Sequence, residues 1–346
     1  MRAAIYNGPF AVQAENVPDP QIEQATDAIV NVACAAVCGS DLWTYRGQGG
    51  VREGSRIGHE FAGVVAKTGP GVTGLKTGDW VVAPFRYSDG TCVHCQAGLE
   101  SSCVRGGFWG RHITEAGQAD QVRVPFADAT LVKALPGGEA PDQGLSRHLL
   151  TLADVLPTGY HGASRAGVGP GATTAVVGDG AVGLCAVLAA RLLGAERVLA
   201  FGAHADRLAL ATSFGATEVF RLRGAAAAEA AAEATGGLGA DQVIEAVGTP
   251  DAFATALKMV RAGGVVSYVG LPHGVTLDLS QVFPTNVTIT GGIAPARHYI
   301  PLLAPKVAAG EITPGDVFTA TFPLAEVDQA YRQMDQRGQI KALLTP

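Results

Sequence analysis

The chain has 346 residues, of which 47% are hydrophobic and 16% are charged, so a globular protein of about two domains is expected. The formal net charge is −6 and no basic run stands out, which argues against nucleic acid and anionic membranes as partners. We find neither a signal peptide nor a span of roughly 18 apolar residues that could cross a membrane, so we expect a cytoplasmic protein.

Short apolar segments separated by turns occupy the chain up to about residue 150. The clearest predicted strands are 28–37, 57–65 and 80–83. Segments of this kind, with glycine at their bends, are typical of a compact and mostly antiparallel β domain.

Strands and helices alternate after about residue 157. The predicted strands are 174–177, 197–201, 242–245 and 265–269, and the predicted helices are 181–193, 206–214, 225–234 and 252–261. We expect Gly215 to close the second of these helices and Gly263 with Gly264 to close the last. This alternation predicts a doubly wound parallel sheet, and the tail 301–346 mixes helix and strand and could fold back onto the first domain.

A glycine-rich motif follows the first of these strands and opens the first helix. It reads G-x-G-x-x-G and consists of Gly178, Asp179, Gly180, Ala181, Val182 and Gly183. In that context the glycines allow a tight turn, close approach of the backbone to a pyrophosphate, and close packing of helix on strand. The motif therefore predicts a dinucleotide site at the helix N-terminus.

The choice between NAD and NADP depends on the end of the strand 197–201. An acidic residue there would bind the ribose 2′-hydroxyl, but Gly202 occupies the expected position. His204 and Arg207 are close enough in sequence to meet a 2′-phosphate, which favours NADP over NAD; the alternative for Arg207 is an exposed residue of a helix capped by Asp206. We also expect Val269, at the end of the strand 265–269, to contact the cofactor.

A first set of metal-ligating residues is spread over the N-terminal half. Cys38 follows a predicted strand, His59 and Glu60 lie about twenty residues later, and Asp154 precedes the second domain. A thiolate, an imidazole and a carboxylate suit zinc, and a second carboxylate or water can fill an open fourth position.

A second set lies within fifteen residues and contains Asp89, Cys92, Cys95 and Cys103. Two cysteines separated by two residues are typical of a structural zinc site, and Asp89 stands where a further cysteine would be expected. The alternatives are the three cysteines with His94, or no metal. We expect Cys34 and Cys185 to be buried packing residues.

Together, these residues resemble the zinc-containing medium-chain alcohol dehydrogenase superfamily, over nearly the whole chain. The motifs are C-G-S-D from Cys38, G-H-E-x-x-G from Gly58, the lobe from Asp89 to Cys103, Asp154 ahead of T-G-Y, and G-D-G-A-V-G from Gly178. The branch with formaldehyde-dehydrogenase-like and secondary-alcohol enzymes is the most similar.

The resemblance implies an α/β two-domain fold. Residues 1–157, completed by 298–346, would form a GroES-like β-rich catalytic domain, and residues 158–297 a Rossmann domain with a six-stranded parallel sheet. It implies Cys38, His59 and Asp154 as ligands of a catalytic zinc, with Glu60 as a neighbouring or exchangeable ligand. It also implies a homodimer or homotetramer that acts on a small alcohol, aldehyde or ketone.

Three further roles follow from the same resemblance. Ser40 would relay the substrate proton, Asp41 would orient His59, and Thr158 would lie near the nicotinamide. Trp43 stands where many members have a histidine at the end of the proton relay, so the proton would leave through water or through the cofactor ribose. Phe108 and Trp109, with Trp43, are either walls of the substrate site or core aromatics.

Three alternatives compete with this function. A zinc-free quinone or enone reductase of the same superfamily would share the dinucleotide motif without the set at Cys38, His59 and Asp154. A protein that binds NADP without turnover would need neither that set nor Ser40. A formaldehyde enzyme of the dismutase or glutathione-adduct type would differ in substrate only.

Overall fold

The computed structural model describes residues 1–346, which form two compact units. Unit 1 comprises Met1–Pro157 together with Pro295–Pro346, and unit 2 comprises Thr158–Ala294. The C-terminal segment therefore folds with the N-terminal part of the chain.

The chain forms eighteen strands and twelve α-helices. The strands are β1 (Arg2–Tyr6), β2 (Val12–Asn16), β3 (Ala28–Ala36), β4 (Ser55–Arg56), β5 (Glu60–Thr68), β6 (Trp80–Ala83), β7 (Arg86–Tyr87), β8 (Gly107–Phe108), β9 (Gln121–Val124), β10 (Val132–Lys133), β11 (Thr173–Val177), β12 (Arg197–Phe201), β13 (Glu218–Phe220), β14 (Ala240–Glu245), β15 (Val260–Tyr268), β16 (Thr288–Gly291), β17 (Phe318–Pro323) and β18 (Lys341–Thr345). The helices are α1 (Asp41–Tyr45), α2 (Val93–Gln96), α3 (Ala127–Thr130), α4 (Gln143–Leu150), α5 (Val155–Arg165), α6 (Ala181–Leu192), α7 (Ala205–Ser213), α8 (Gly224–Ala234), α9 (Pro250–Met259), α10 (Leu279–Val282), α11 (Ala296–Ala308) and α12 (Val327–Asp335).

Unit 1 is built on a seven-stranded sheet with the order β10-β6-β5-β3-β18-β17, in which β9 also pairs with β3. All of these pairs are antiparallel except β17 with β18. Alternate residues of its strands, among them Val30, Phe61, Val65 and Val81, are fully buried in one hydrophobic core. The predicted β domain is therefore present, and β18 from the C-terminal tail completes it.

Unit 2 contains a six-stranded parallel sheet with the order β13-β12-β11-β14-β15-β16. The pairing of Val177 with both Phe201 and Glu245 brings the carboxyl ends of the three central strands to one edge. The order of the strands reverses at β11, and doubly wound sheets bind their ligands at such a point. The structure confirms the predicted parallel sheet.

Three local predictions need correction. Strand β5 begins at Glu60 and not at residue 57, because Gly58 turns the chain with φ of +95°. Helix α9 ends at Met259, and Gly263 and Gly264 lie inside β15 instead of closing the helix. The N-cap position of α7 is taken by His204, while Asp206 lies in its first turn.

Trp109 is a core residue of unit 1. Its ring packs against Phe61 and Tyr87 at centroid distances of 5.2 and 5.5 Å, and its Nε1 donates a hydrogen bond to the Pro84 carbonyl. Phe108 instead stacks between Phe85 and His112. Of the two alternatives for Trp109, the structure therefore supports the core.

No helix in this fold combines the length and the apolar character that a bilayer crossing requires.

Candidate functional site

Four side chains of unit 1 converge on one point. The ligand atoms of Cys38, His59, Glu60 and Asp154 all lie within 4.8 Å of one another. Cys38, Glu60 and Asp154 are buried, and His59 is partly exposed. The structure thus brings together four residues that are up to 116 positions apart in the chain.

The sheet of unit 1 explains this convergence. Antiparallel pairing sets Ala36, the last residue of β3, opposite Glu60, the first residue of β5. Cys38 comes two residues after the end of β3, and His59 comes directly before β5. Both residues therefore lie at the same end of this strand pair as Glu60. The Phe85 backbone N–H donates to the Ala153 carbonyl, which ties the segment carrying Asp154 to the end of β6.

The donor set fits zinc. Oδ2 of Asp154 lies 3.2 Å from Nε2 of His59 and 3.6 Å from Sγ of Cys38. Oε2 of Glu60 is buried and has no hydrogen-bond partner. Sulfur, imidazole nitrogen and carboxylate oxygen are the donors that zinc takes in proteins. The carboxylate of Glu60 is the fourth donor, and it could exchange with another ligand of the metal.

Asp41 fixes the orientation of His59. Its Oδ1 lies 3.2 Å from Nδ1 of His59, while its Oδ2 accepts hydrogen bonds from the Cys38 backbone N–H and from Gln118 Nε2. With Nδ1 held in this way, Nε2 points at the other ligands, as in many metal-bound histidines. Ser40 directly precedes Asp41 at the start of α1, and its hydroxyl makes no capping hydrogen bond.

The charges at this point call for a cation. Burial lowers the pKa of His59, but the negative charges of Asp41 and Cys38 outweigh burial and raise that pKa well above its ordinary value. Burial, followed by the charge of Asp154, raises the pKa of the Cys38 thiol. A bound cation would therefore favour the thiolate form of Cys38 beside these carboxylates.

Sequence reasoning missed Lys341, Gln118 and Tyr331. Lys341 lies 2.6 Å from Glu60 and also donates to the Val37 carbonyl, and Glu60 keeps the pKa of Lys341 above its ordinary value despite burial. The Tyr331 hydroxyl donates to Oε1 of Gln118, which in turn contacts Asp41. The one available signal was a lone lysine in the apolar strand β18.

The second predicted set also assembles, and it is likewise in unit 1. The ligand atoms of Asp89, Cys92, Cys95 and Cys103 lie within 4.8 Å of one another. Sγ of Cys95 is 3.6 Å from Sγ of Cys92 and 3.5 Å from Oδ1 of Asp89. His94 is not part of this group. Three thiols and one carboxylate are a feasible set for a closed structural zinc site.

Asp89 is held by more than the thiols. Its Oδ1 accepts hydrogen bonds from the backbone N–H groups of Thr91 and Cys92, and its Oδ2 lies 2.6 Å from Nε of Arg105. Burial raises the pKa of Asp89, but the Thr91 N–H and Arg105 prevail and hold it well below its usual range. Hydrogen bonds from backbone N–H groups, that of Cys95 first, lower the pKa of Cys92 to about 7. Asp89 and Cys92 therefore favour the deprotonated forms in which they would bind a metal ion.

The glycine-rich motif forms the predicted loop of unit 2, between β11 and α6. A Cβ on Gly183 would lie 2.0 Å from the Gly178 carbonyl oxygen, so only glycine fits there. Gly180 occupies the N-cap position of α6, and no other group lies within 4 Å of the place where its Cβ would be. This open space at a helix N-terminus, with Ala181 and Val182 in the first turn, fits a pyrophosphate.

Most of the remaining predicted residues also lie in unit 2. Gly202 and His204 follow β12, Val269 follows β15, and Thr158 is buried in α5. Arg207 is buried in α7 and is not the exposed residue of the alternative prediction. Cys34 and Cys185 are buried, and burial raises the pKa of Cys34 to about 12, as expected for packing residues.

Two family models match the chain. The model of the alcohol dehydrogenase GroES-like domain matches residues 24–136, and the model of the zinc-binding dehydrogenase matches residues 181–309. The first match lies in unit 1, and the second covers most of unit 2.

Similar proteins and a similar solved structure extend this similarity to the full length of the chain. An uncharacterised zinc-type alcohol dehydrogenase-like protein, AdhB, of Bacillus subtilis is 35% identical and is aligned over all of both chains. A probable zinc-binding alcohol dehydrogenase of Mycobacterium tuberculosis is 36% identical over 96% of this chain and 84% of its own length. The structure of alcohol dehydrogenase TADH from Thermus sp. ATN1 superposes with a TM-score of 0.91 at 34% identity, over 100% of this chain and 99% of the other.

Proposed function

This chain belongs to the zinc-dependent medium-chain alcohol dehydrogenase superfamily, and on that premise we propose that it transfers a hydride between a small alcohol and a nicotinamide dinucleotide, with the aldehyde or ketone as the other partner. The observation that carries the proposal is the convergence of Cys38, His59, Glu60 and Asp154 within 4.8 Å. In the same chain, the loop Gly178–Gly183 provides the phosphate-binding turn that a dinucleotide requires.

The residues of the first cluster divide into ligands and supports. Cys38, His59 and Asp154 would hold a catalytic zinc, with Glu60 as the exchangeable neighbour. Bound there, zinc supplies a Lewis acid for the substrate oxygen, while the nicotinamide supplies or accepts the hydride. Asp41 keeps Nε2 of His59 directed at the cluster, through its contact with Nδ1.

A proton must leave the alcohol as it is oxidised. We assign its removal to Ser40, whose hydroxyl follows Cys38 by two residues and serves no capping role in α1. Trp43, in place of a histidine, provides no further acceptor for this proton. The relay beyond Ser40 therefore runs through water or the cofactor ribose. Thr158 would lie beside the nicotinamide ring.

The second cluster would hold a structural zinc. Asp89, Cys92, Cys95 and Cys103 supply three thiolates and one carboxylate oxygen, and no open position is needed there. A site of this kind stabilises the lobe from Asp89 to Cys103, which contains only short helical turns and no large apolar core of its own.

We also propose that the protein is a homo-oligomer. Unit 2 exposes large apolar side chains in the segment between β15 and β16 and just after β16, namely Leu271, Leu277, Leu279, Phe283 and Ile293. Phe283 is 88% exposed and Leu279 is 68% exposed. Grouped exposure of this kind marks an interaction surface, and a second copy of the chain is the partner we assign to it.

The experiment is a substrate screen with NAD and NADP in parallel, on protein that is zinc-replete, stripped with a chelator, or stripped and then reconstituted with zinc. With the zinc-replete protein, we expect alcohols, aldehydes or ketones to change the nicotinamide absorbance. The stripped protein should lose this activity, and the reconstituted protein should regain it. Turnover that persists without zinc would favour a zinc-free quinone or enone reductase. Dinucleotide binding without any turnover would favour a non-catalytic binding protein.

A further inference from the structure

Asp179, inside the glycine-rich loop, reaches across to the end of the neighbouring strand. Oδ2 accepts hydrogen bonds from the backbone N–H groups of Ala203 and His204, at 2.8 and 2.9 Å. The same oxygen lies 2.8 Å from Nδ1 of His204. The carboxylate is therefore fixed beside residues 202–204, where the end of β12 would normally supply an acidic side chain.

Gly202 is a glycine because Asp179 is already there. A Cβ on Gly202 would lie 2.5 Å from Cβ of Asp179 and 2.6 Å from its Oδ2. Both residues are buried, so neither has room to move aside. The missing acid at position 202, which favoured NADP in the sequence, is thus replaced in space by an acid from the preceding loop.

The two oxygens of Asp179 have different environments. All three contacts go to Oδ2, whereas Oδ1 accepts no hydrogen bond within the protein. An uncommitted carboxylate oxygen at the carboxyl edge of β11 and β12 can accept a hydrogen bond from a ribose hydroxyl. The same charge repels a phosphate at that position.

The N–H groups that could bind a 2′-phosphate are also occupied. Two successive backbone N–H groups and an imidazole form an anion-binding set, and here the anion they hold is Asp179 itself. Arg221 is exposed, and its Nε donates a hydrogen bond to the Ala203 carbonyl. Arg207 is buried in α7.

We infer that Asp179 selects the dinucleotide, and that it selects NAD over NADP by binding the adenosine ribose through Oδ1 and excluding the 2′-phosphate. This inference rests on the proposed function, because it assumes that the loop Gly178–Gly183 holds a nicotinamide dinucleotide. It reverses the preference for NADP that Gly202, His204 and Arg207 indicated in the sequence.

The test is the ratio of the dissociation constants for NADPH and NADH, measured by fluorescence titration or calorimetry on the full-length, zinc-replete protein without substrate. Wild-type protein should bind NADH at least about tenfold more tightly than NADPH, since one repelled phosphate and one lost hydrogen bond each contribute on that scale. Asp179→Asn retains the shape but removes the charge, and it should lower this ratio about tenfold, mainly through tighter NADPH binding.

Asp206→Asn is the matched control, because this exposed carboxylate lies in the first turn of α7 and makes the same change of charge nearby. It should leave the ratio unchanged. Arg221→Gln should leave NADH binding unchanged. Circular dichroism confirms that each variant is folded, and the wild-type ratio tests the preference for NAD even if Asp179→Asn does not fold.

Equal or tighter binding of NADPH by the wild type would overturn the inference. An unchanged ratio in folded Asp179→Asn, or an equal shift in Asp206→Asn, would overturn the role of Asp179. If neither dinucleotide binds, the proposed function fails as well, and this outcome differs from a wrong preference between two ligands that both bind.

Discussion

Lys341 pairs with Glu60 inside unit 1, with Nζ 2.6 Å from Oε1, and the side chains of the two residues are 1% and 0% exposed. The two residues are 281 positions apart, and their contact joins the C-terminal strand β18 to the candidate zinc ligands. Oε2 of Glu60 remains without a partner. The pair therefore both neutralises Glu60 and leaves one of its oxygens available.

Removing Lys341 should strongly destabilise the protein. Lys341→Met leaves the Glu60 carboxylate buried and unpaired, and loss of one partner of a buried pair costs about 3–5 kcal/mol. Urea denaturation of the zinc-free protein measures this. The double variant Glu60→Leu with Lys341→Met should recover much of the loss, because neither charge is then buried. Equal losses in the single and double variants would contradict the role assigned to the pair.

Loss of the carboxylate that orients His59 should weaken the catalytic zinc. Asp41→Asn removes the acceptor charge at Nδ1 of His59, and we expect zinc affinity at this site to fall about ten- to hundredfold. Competition with a chromogenic chelator gives the affinity. Asp19→Asn, which changes an exposed carboxylate elsewhere in unit 1, serves as the control. An Asp41→Asn protein with the zinc affinity of the control would show that Asp41 does not position His59.

Arg105 should matter for the structural zinc only while Asp89 is a ligand. Arg105→Gln removes the partner of Oδ2, so the carboxylate is less fixed and zinc should be released about tenfold more readily. In the Asp89→Cys background the site has four thiolates, and the same change should have little effect. Zinc release to an indicator, measured in all four proteins, tests this coupling. Equal effects of Arg105→Gln in both backgrounds would argue that Asp89 does not bind the metal.

Phe283 should contribute to the contact between copies of the chain. Phe283→Asp places a charge on the exposed apolar surface beside β16, and we expect the oligomer to dissociate into smaller species. Light scattering coupled to size exclusion reports the mass. Leu238→Asp is the control, because Leu238 is 76% exposed on a turn after α8 and outside that surface. A mass that responds to both variants alike, or to neither, would place the interface elsewhere.

Regular elements were predicted well where the pattern of apolar residues is strictly local. The predicted bounds of β6 and β12 agree with the structure, because both are short apolar runs bounded by turn residues. The glycine pair at 263 and 264 indicates the end of a helix, and this prediction is wrong. These glycines lie in β15 instead, where a Cβ on Gly264 would meet the Asp241 carbonyl and the register against β14 shifts.

The two metal-ligating clusters could be predicted for a different reason. Their residue types and spacing form motifs, and the structure brings the members of each cluster together. The supports could not be found in this way. Lys341 and Tyr331 reach the site from the C-terminal segment, 281 and 213 positions from Glu60 and Gln118, and their roles depend on pairing between strands that no local pattern encodes. From the sequence, Asp179 is only a non-glycine position of the G-x-G-x-x-G motif. Its contact with residues 203 and 204 could not be predicted, because it arises from the parallel pairing of β11 with β12.

We propose that the cluster at Cys38 holds the zinc on which hydride transfer depends, and measuring zinc content and turnover together in Cys38→Ser tests this claim. We predict about two zinc ions per wild-type chain, about one in Cys38→Ser with no turnover, and unchanged dinucleotide binding. Cys34→Ser, which alters a buried cysteine of β3 outside the cluster, should retain both ions and activity. A Cys38→Ser protein that keeps its full zinc content and turns over substrate like the wild type would contradict the claim.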